Sequence, residues 1–442
     1  MSRRQWPSRV LTNLARCTAK PMGSHFNAGP RPAQDELSAR RLSGPSGAIQ
    51  FVPTVERILY GVGTAEQQLG PELERLNCKR VLLLTPRSLE SHEVVARTRK
   101  TLAKRLAESF TAAFEHVPLQ TAVEAAAVAR RCRADSVVAL GGGSVIDTAK
   151  AVRTCLAENI TSAEMLGAFM ERAQPLSAKL IPQLTIPTTL SGAEYTRSFS
   201  CTDFTTGFKR SYTDSAVASR SIIYDPVVTL PTPLPLWLAS GVMALDHAIE
   251  VFCCSLPHVI GDRLKFFSIV ELFTYLPQVR QEPSDLQARL RCQVGSWLAD
   301  HSPLRAQDLS GRRAALPSHA LAYELGAVCR VPYAMTACVT LPACMRWAAA
   351  RSPLSATRQA QLARALKVAE RQAPKRTAAQ LFERHVRKFI EDLGLPTKLR
   401  SVGVGDDDME RVARHFVEQG RWLTTNAAAT EDDVLSLLRS AS

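Results

Sequence analysis

The chain has 442 residues, 45% of them hydrophobic and 22% charged, with a formal net charge of +14; a length of this order buries substantial cores and predicts two domains. No run approaches the roughly 18 apolar residues of a membrane span, and eleven scattered cysteines, of which only Cys253 and Cys254 are adjacent, argue against a closed disulfide framework. The charge does not read as a nucleic-acid surface either: Arg3, Arg4, Arg9, Arg16, Lys20 and Arg31 all precede the first acid, Asp35, and the remainder is spread in mixed-sign helical patterns such as Glu383 to Arg387.

Residues 1–46 form a basic tail in which Trp6, Val10, Leu11 and Leu14 are interspersed with arginines. This composition fits either a mitochondrial presequence or a disordered extension, so the expected compartment is cytoplasmic or mitochondrial. From residue 47 to 227 the pattern alternates. Arg57 to Tyr60 leads into a Gly-x-Gly turn at Gly61 and Gly63, followed by a helix through Leu69. Arg80 to Leu84 is a short apolar run of the kind a parallel strand buries on both faces. Helices are predicted over about Val94 to Ser109 and Ala122 to Cys132, and a second apolar run, Ser136 to Leu140, ends in Gly141, Gly142, Gly143 and Ser144. Strand, helix, strand, helix in this spacing predicts a doubly wound nucleotide-binding sheet. Glycines where a strand turns into a helix let backbone N–H groups approach a pyrophosphate.

A third strand ends in Pro187-Thr188-Thr189, with Ser191 close behind; two hydroxyls and the following N–H groups suit phosphate or ribose oxygens, although such a pair also closes an ordinary sheet-end turn. Beyond Pro226 the texture changes. Apolar residues recur at three and four in segments 262–276, 285–298, 377–393, 407–418 and 431–438, so residues 228–442 are predicted to form a helical domain.

The run Gly141-Gly-Gly-Ser-Val-Ile-Asp147-Thr-Ala-Lys150 resembles the signature of the iron-containing alcohol dehydrogenase superfamily, and Leu190-Ser-Gly-Ala-Glu194 is nearer to its maleylacetate reductases. The resemblance runs from about residue 50 to the C-terminus. It implies a dehydroquinate synthase-like fold, an α/β dinucleotide-binding domain followed by an all-α domain, with an NAD(P)H site on Thr85, Arg87, Gly141, Gly142, Gly143, Ser144, Asp147, Thr188, Thr189, Ser191 and Lys209. In relatives the lysine matching Lys209 lies near the cofactor's ribose. Thr85-Pro-Arg87-Ser lacks the acid that NAD-preferring relatives often place after the first strand, and Arg87 can attract a 2′-phosphate, so NADPH is expected to serve at least as well as NADH.

Metal-dependent members hold their ion with one Asp and three His. The helix reading Gly241-Val-Met-Ala-Leu-Asp-His-Ala-Ile-Glu250 keeps His247 but has Met243 at the Asp position, and Asp246 lies on a different face. The next segment keeps His319, whereas Tyr323 replaces a histidine usually near the nicotinamide and Tyr333 replaces the last ligand. Two of four ligands remain, so a metal is not expected. His247 and His319 are expected at the hydride-transfer site, with Tyr323 and Tyr333 as secondary donors. Bonding of His247 to Glu250, a capping role for His319 and packing of the tyrosines beneath the cofactor are the plainer alternatives.

The function implied is reduction of a small carbonyl or oxo-acid substrate, a carboxylate being among the groups it can bear, by a homodimer that binds neither membrane nor nucleic acid. A metal-dependent dehydrogenase with altered ligands, and a cofactor fold turned to non-redox cyclase or lyase chemistry, are the alternatives. A polar, breaker-containing stretch, His301 to Arg313, departs from the small-residue helix usual in relatives.

Overall fold

The computed structural model describes residues 55–254, 257–300, 317–420 and 429–442. The basic tail and the 301–313 stretch lie outside the described residues.

Six parallel strands form the first half: β1 (Arg57–Tyr60), β2 (Val81–Pro86), β3 (Leu106–Ala113), β4 (Ser136–Gly141), β5 (Gln183–Pro187) and, after an antiparallel hairpin of β6 (Ser198–Asp203) and β7 (Phe208–Thr213), β8 (Ser221–Tyr224). Their order is β1-β8-β5-β4-β2-β3. The helices between them are α1 (Thr64–Arg75), α2 (Glu93–Leu102), α3 (Leu119–Arg131), α4 (Gly143–Ala157) and α5 (Ala163–Arg172). Side chains of the central strands alternate between two cores. Leu82, Leu84, Val137 and Ala139 pack with α3 and α4, while Val81, Leu83, Val138 and Leu140 pack with α1 and α2. The connections after β2 and β4 therefore leave toward opposite faces, which creates a crevice at the carboxyl ends of these neighbouring strands.

Several boundaries differ from the sequence expectation. The helix read as Val94 to Ser109 ends at Leu102, and Leu106 onward is strand β3, an edge strand whose mostly intermediate burial leaves no period-two pattern to set it apart from the helix before it. The first helix continues past Leu69 to Arg75 through Pro71, which lies in its interior. The Gly-x-Gly turn is real: Gly61 and Gly63 have φ of 133° and 77°. Asp225 fastens that turn, accepting N–H bonds from Gly63 (3.1 Å) and Ala65 (3.0 Å).

The second half is helical: α6 (Leu234–Cys254), α7 (Gly261–Gln281), α8 (Leu286–Asp300), α9 (Pro317–Cys329), α10 (Tyr333–Arg351), α11 (Pro353–Ala365), α12 (Lys375–Asp392), α13 (Asp406–Glu418) and α14 (Glu431–Ser440). Helix α6 corrects the membrane reading. It is long and apolar enough to span a bilayer, but 83% of its most hydrophobic 18-residue window is buried inside the protein, which makes it the core helix of this half. At Gly241 a Cβ would collide with Leu276 of α7, so the two helices meet at a glycine.

Lys150 of α4 is wholly buried. Its ammonium donates to the carbonyls of Ala193 (2.6 Å) and Ser198 (2.8 Å), to Thr196 Oγ1 (2.7 Å) and to Asp147 Oδ1 (3.2 Å). Burial pulls its pKa down, and Asp147 opposes that shift. Lys150→Met strands these acceptors inside the protein, so we expect a loss of about 3 kcal/mol in stability. Urea unfolding measures it, and a midpoint shift equivalent to less than about 1 kcal/mol would contradict the assignment.

Candidate active site

The glycine helix α4 starts at the crevice. Gly142 is its N-cap and no side chain caps it, so the N–H groups of its first turn remain available to an anion. Pro187 of β5 is in register with Gly141, and the Thr188 N–H donates to the Gly141 carbonyl at 3.0 Å. This brings the two predicted loops together. A Cβ on Gly142 would stand 3.1 Å from Thr189 Cγ2, and one on Gly143 would stand 2.9 Å from Ser191 Oγ. Bare backbone, two hydroxyls and an uncapped helix start thus converge on one cradle. At the neighbouring strand end Thr85 is fully buried, with no partner for its hydroxyl among the described residues, and Arg87 is exposed on the turn that follows. Ser144 opens α4 beside the cradle.

Asp147, expected beside the cofactor, has both carboxylate oxygens engaged within the protein. One accepts from Lys150, and the other accepts the Ser200 N–H of β6 at 3.2 Å. The carboxylate so joins the glycine helix to the hairpin, and the hairpin reaches the helical half. Ser200 Oγ lies 2.8 Å from Ser211 Oγ and 3.3 Å from the Tyr323 hydroxyl of α9.

Four side chains from three helices meet there. His247 Nε2 is 3.2 Å from His319 Nδ1, and the Tyr333 hydroxyl is 3.5 Å from the same nitrogen. The rings of Tyr323 and Tyr333 stand edge to face, with centroids 5.6 Å apart and planes at 81°. Lys209 of β7 covers both, its Nζ 4.3 Å from the Tyr323 centroid and 4.5 Å from that of Tyr333. All four residues expected at the hydride-transfer site therefore form one cluster. Lys209, expected near the ribose, has its ammonium against the phenols.

Glu250 does not bond His247. It accepts the backbone N–H groups of Ser318 (2.8 Å) and His319 (3.1 Å), the open N–H groups at the start of α9, and thereby fixes where His319 stands. Asp246 and Glu250 are both buried, and burial pushes both carboxyls up. Asp246 holds its proton the more firmly, because Glu250 is the one served by the two backbone N–H groups.

Sequence reasoning missed His116 and Ser200. His116 lies against α9, where a Cβ on Gly326 would come within 3.2 Å of its ring, and burial together with the Lys209 charge pushes its pKa down to about 4. Both His116 and Val117 have positive φ (63° and 50°), a strained pair held by Thr202, whose hydroxyl and N–H bond their carbonyls at 2.7 and 2.9 Å. A histidine before the Pro118 that opens α3 was the available signal.

Comparison with known proteins follows the same two halves. Residues 55–226 match the family model for iron-containing alcohol dehydrogenase, and residues 237–442 match the model for the C-terminal part of that family. The maleylacetate reductase of Pseudomonas sp. strain P51 is 31% identical over 360 residues, covering 81% of this chain and 88% of that protein. The maleylacetate reductase of Pseudomonas knackmussii is 30% identical over 387 residues, covering 87% and 95%. Among solved structures, the maleylacetate reductase of Agrobacterium tumefaciens superposes with a TM-score of 0.69 at 25% identity, covering 90% of this chain and 98% of the other.

If the cradle binds a diphosphate, filling it must weaken binding without unfolding the chain. Gly143→Ala is expected to raise the Kd for NADPH at least about tenfold, because the new Cβ meets Ser191 where the ligand must approach. Fluorescence titration measures it; an unchanged Kd would remove this loop from the cofactor site.

Proposed function

We propose, for a chain that belongs to the iron-containing alcohol dehydrogenase family and is an NAD(P)-dependent oxidoreductase, that it reduces the carbonyl of a small oxo acid, and that it does so without a metal ion. The substrate class rests on the relatives named maleylacetate reductase. The chemistry rests on one observation, the contact of His247 Nε2 with His319 Nδ1 at 3.2 Å beside two phenols and an ammonium.

The donor set does not fit a divalent ion. Its two remaining corners are the thioether of Met243 and the phenol of Tyr333, and neither is a good partner for zinc or ferrous iron. No step is therefore assigned to a metal. The cofactor fits better. The N–H groups at Gly143 and Ser144, with Thr188, Thr189 and Ser191, would hold its diphosphate, and Thr85 and Arg87 would lie toward its adenosine end. Bound NADPH or NADH supplies the hydride.

What remains for the protein is the proton. His319 Nδ1 faces two groups able to donate, His247 Nε2 and the Tyr333 hydroxyl. Both can donate when His319 carries its proton on Nε2; as Nε2 gives that proton to the oxygen on which negative charge develops, Nδ1 takes one from the Tyr333 hydroxyl, so no imidazolate is left, and solvent returns the proton to the phenol. Glu250 keeps the ring in place through the backbone N–H bonds at the start of α9.

Family membership favours redox chemistry over the cyclase or lyase alternative, and a homodimer in the cytoplasm completes the reading; the bacterial relatives lend no support to a mitochondrial location. His247→Ala and His319→Ala are each expected to lower kcat by about 10²- to 10⁴-fold while the NADPH Kd stays within about threefold. Wild-type turnover in both variants would remove the imidazoles from the mechanism. Protein purified without chelator should carry well under one divalent ion per chain, and a stoichiometric zinc or iron lost together with activity would overturn the metal-free reading. For the cofactor, Arg87→Ala should weaken NADPH by about five- to tenfold and leave NADH unchanged; a wild-type preference for NADH would contradict this role.

A further inference from the structure

We infer that Lys209 is the anchor for a carboxylate of the substrate, and so determines the preference of the site for oxo acids over neutral carbonyl compounds. The inference rests on the reading that carbonyl reduction takes place at the His247–His319 pair.

The ammonium is half-buried between two aromatic rings, at 4.3 and 4.5 Å from their centroids. Contact with ring faces offsets part of the lost hydration but does not neutralise the charge. Among the described residues Lys209 makes no salt bridge, whereas Arg210, beside it on β7, is paired with both Glu171 and Asp203. The nearby carboxylates are committed elsewhere: Asp147 to Lys150 and the Ser200 N–H, and Glu250 to the start of α9. His116 responds to this field, its pKa pushed down by burial and by the Lys209 charge, so the wall beside Lys209 carries a neutral imidazole rather than an anion. A positive charge with no counterion among the described residues, in a partly desolvated cluster of neutral donors, selects a negatively charged group.

Position gives the selection its chemical meaning. The Tyr333 ring that carries Lys209 on its face places its hydroxyl 3.5 Å from His319 Nδ1. Anchor and proton donor are thus separated by about one phenol ring, a span suited to a carboxylate a few bonds from the carbonyl being reduced. The diphosphate cradle belongs to a different part of the crevice. Lys209 pairs with Thr202 on the outer strand of the hairpin, one strand further from α4 than Ser200, which contacts it.

The test uses the full chain with NADPH bound, and maleylacetate as probe. Lys209→Met keeps the apolar stem over the rings and removes the charge; Lys209→Arg restores the charge. For Lys209→Met the KM for maleylacetate is expected to rise at least about 30-fold, with a smaller fall in kcat and an NADPH Kd within about threefold of wild type. Lys209→Arg should recover a substantial part of the KM. A tenfold or greater loss of NADPH affinity with an unchanged KM would make Lys209 a cofactor residue and overturn the inference, as would a KM unchanged in both variants. Should wild-type enzyme reduce no oxo acid, the proposed function fails first; equilibrium binding of maleylacetate to the NADPH complex then decides separately whether Lys209 holds a carboxylate, and binding indifferent to Lys209→Met overturns it.

Discussion

A buried ammonium cannot be left without acceptors, and that of Lys150 finds them in the segment that links the glycine cradle to the hairpin. Ala193 and Ser198 both give it their carbonyls, so the chain between them is pinned to the helix that starts at Gly143. Asp147, one turn earlier on the same helix, takes the Ser200 N–H. Through these bonds the position of the hairpin follows from the position of the cradle, and the hairpin carries Ser200 and Lys209 to the tyrosines. The glycine cradle and the histidine–tyrosine cluster, which come from different halves of the chain, are spaced by this connection.

The helical half solves the matching problem for the imidazoles. His247 is built into the core helix, whose neighbours leave it little freedom, whereas His319 sits in the first turn of a helix whose start needs an acceptor. Glu250 lies one turn beyond His247 on α6 and supplies that acceptor to Ser318 and His319. One helix thus carries both the first imidazole and the group that positions the second. Burial and the neighbouring Glu250 both push the carboxyl of the adjacent acid, Asp246, up.

Much of this was legible in the residues. The glycine run, the Thr-Thr strand end, the retained histidines and the substituted ligand positions all lie in local motifs, and the parallel sheet follows from continuous apolar runs such as Arg80 to Leu84. Other features depend on packing that no local pattern encodes. Leu106 to Ala113 is a partly buried edge strand held by its pairing with β2, and the role of α6 as the core helix of the second half shows only once its neighbours cover it. His116 enters through a loop whose strained backbone is held by Thr202, more than eighty residues away. The setting of Lys209 against the tyrosines was equally out of reach, since hairpin and helix are more than a hundred residues apart.

The altered ligand positions and the ammonium belong to one electrostatic pattern. A cage of Asp and three His lends a carboxylate to offset a divalent cation, but Met243 stands in the acid's position, and burial together with the neighbouring Glu250 pushes the Asp246 carboxyl up. The proposed anchoring role gives the Lys209 charge a second effect: it would stabilise the oxyanion that forms on a substrate held beside it. On the proposed reading the lysine, which relatives also carry, keeps its place while Met243 stands where the acid would be, so that fixed side chains rather than an ion would face the substrate.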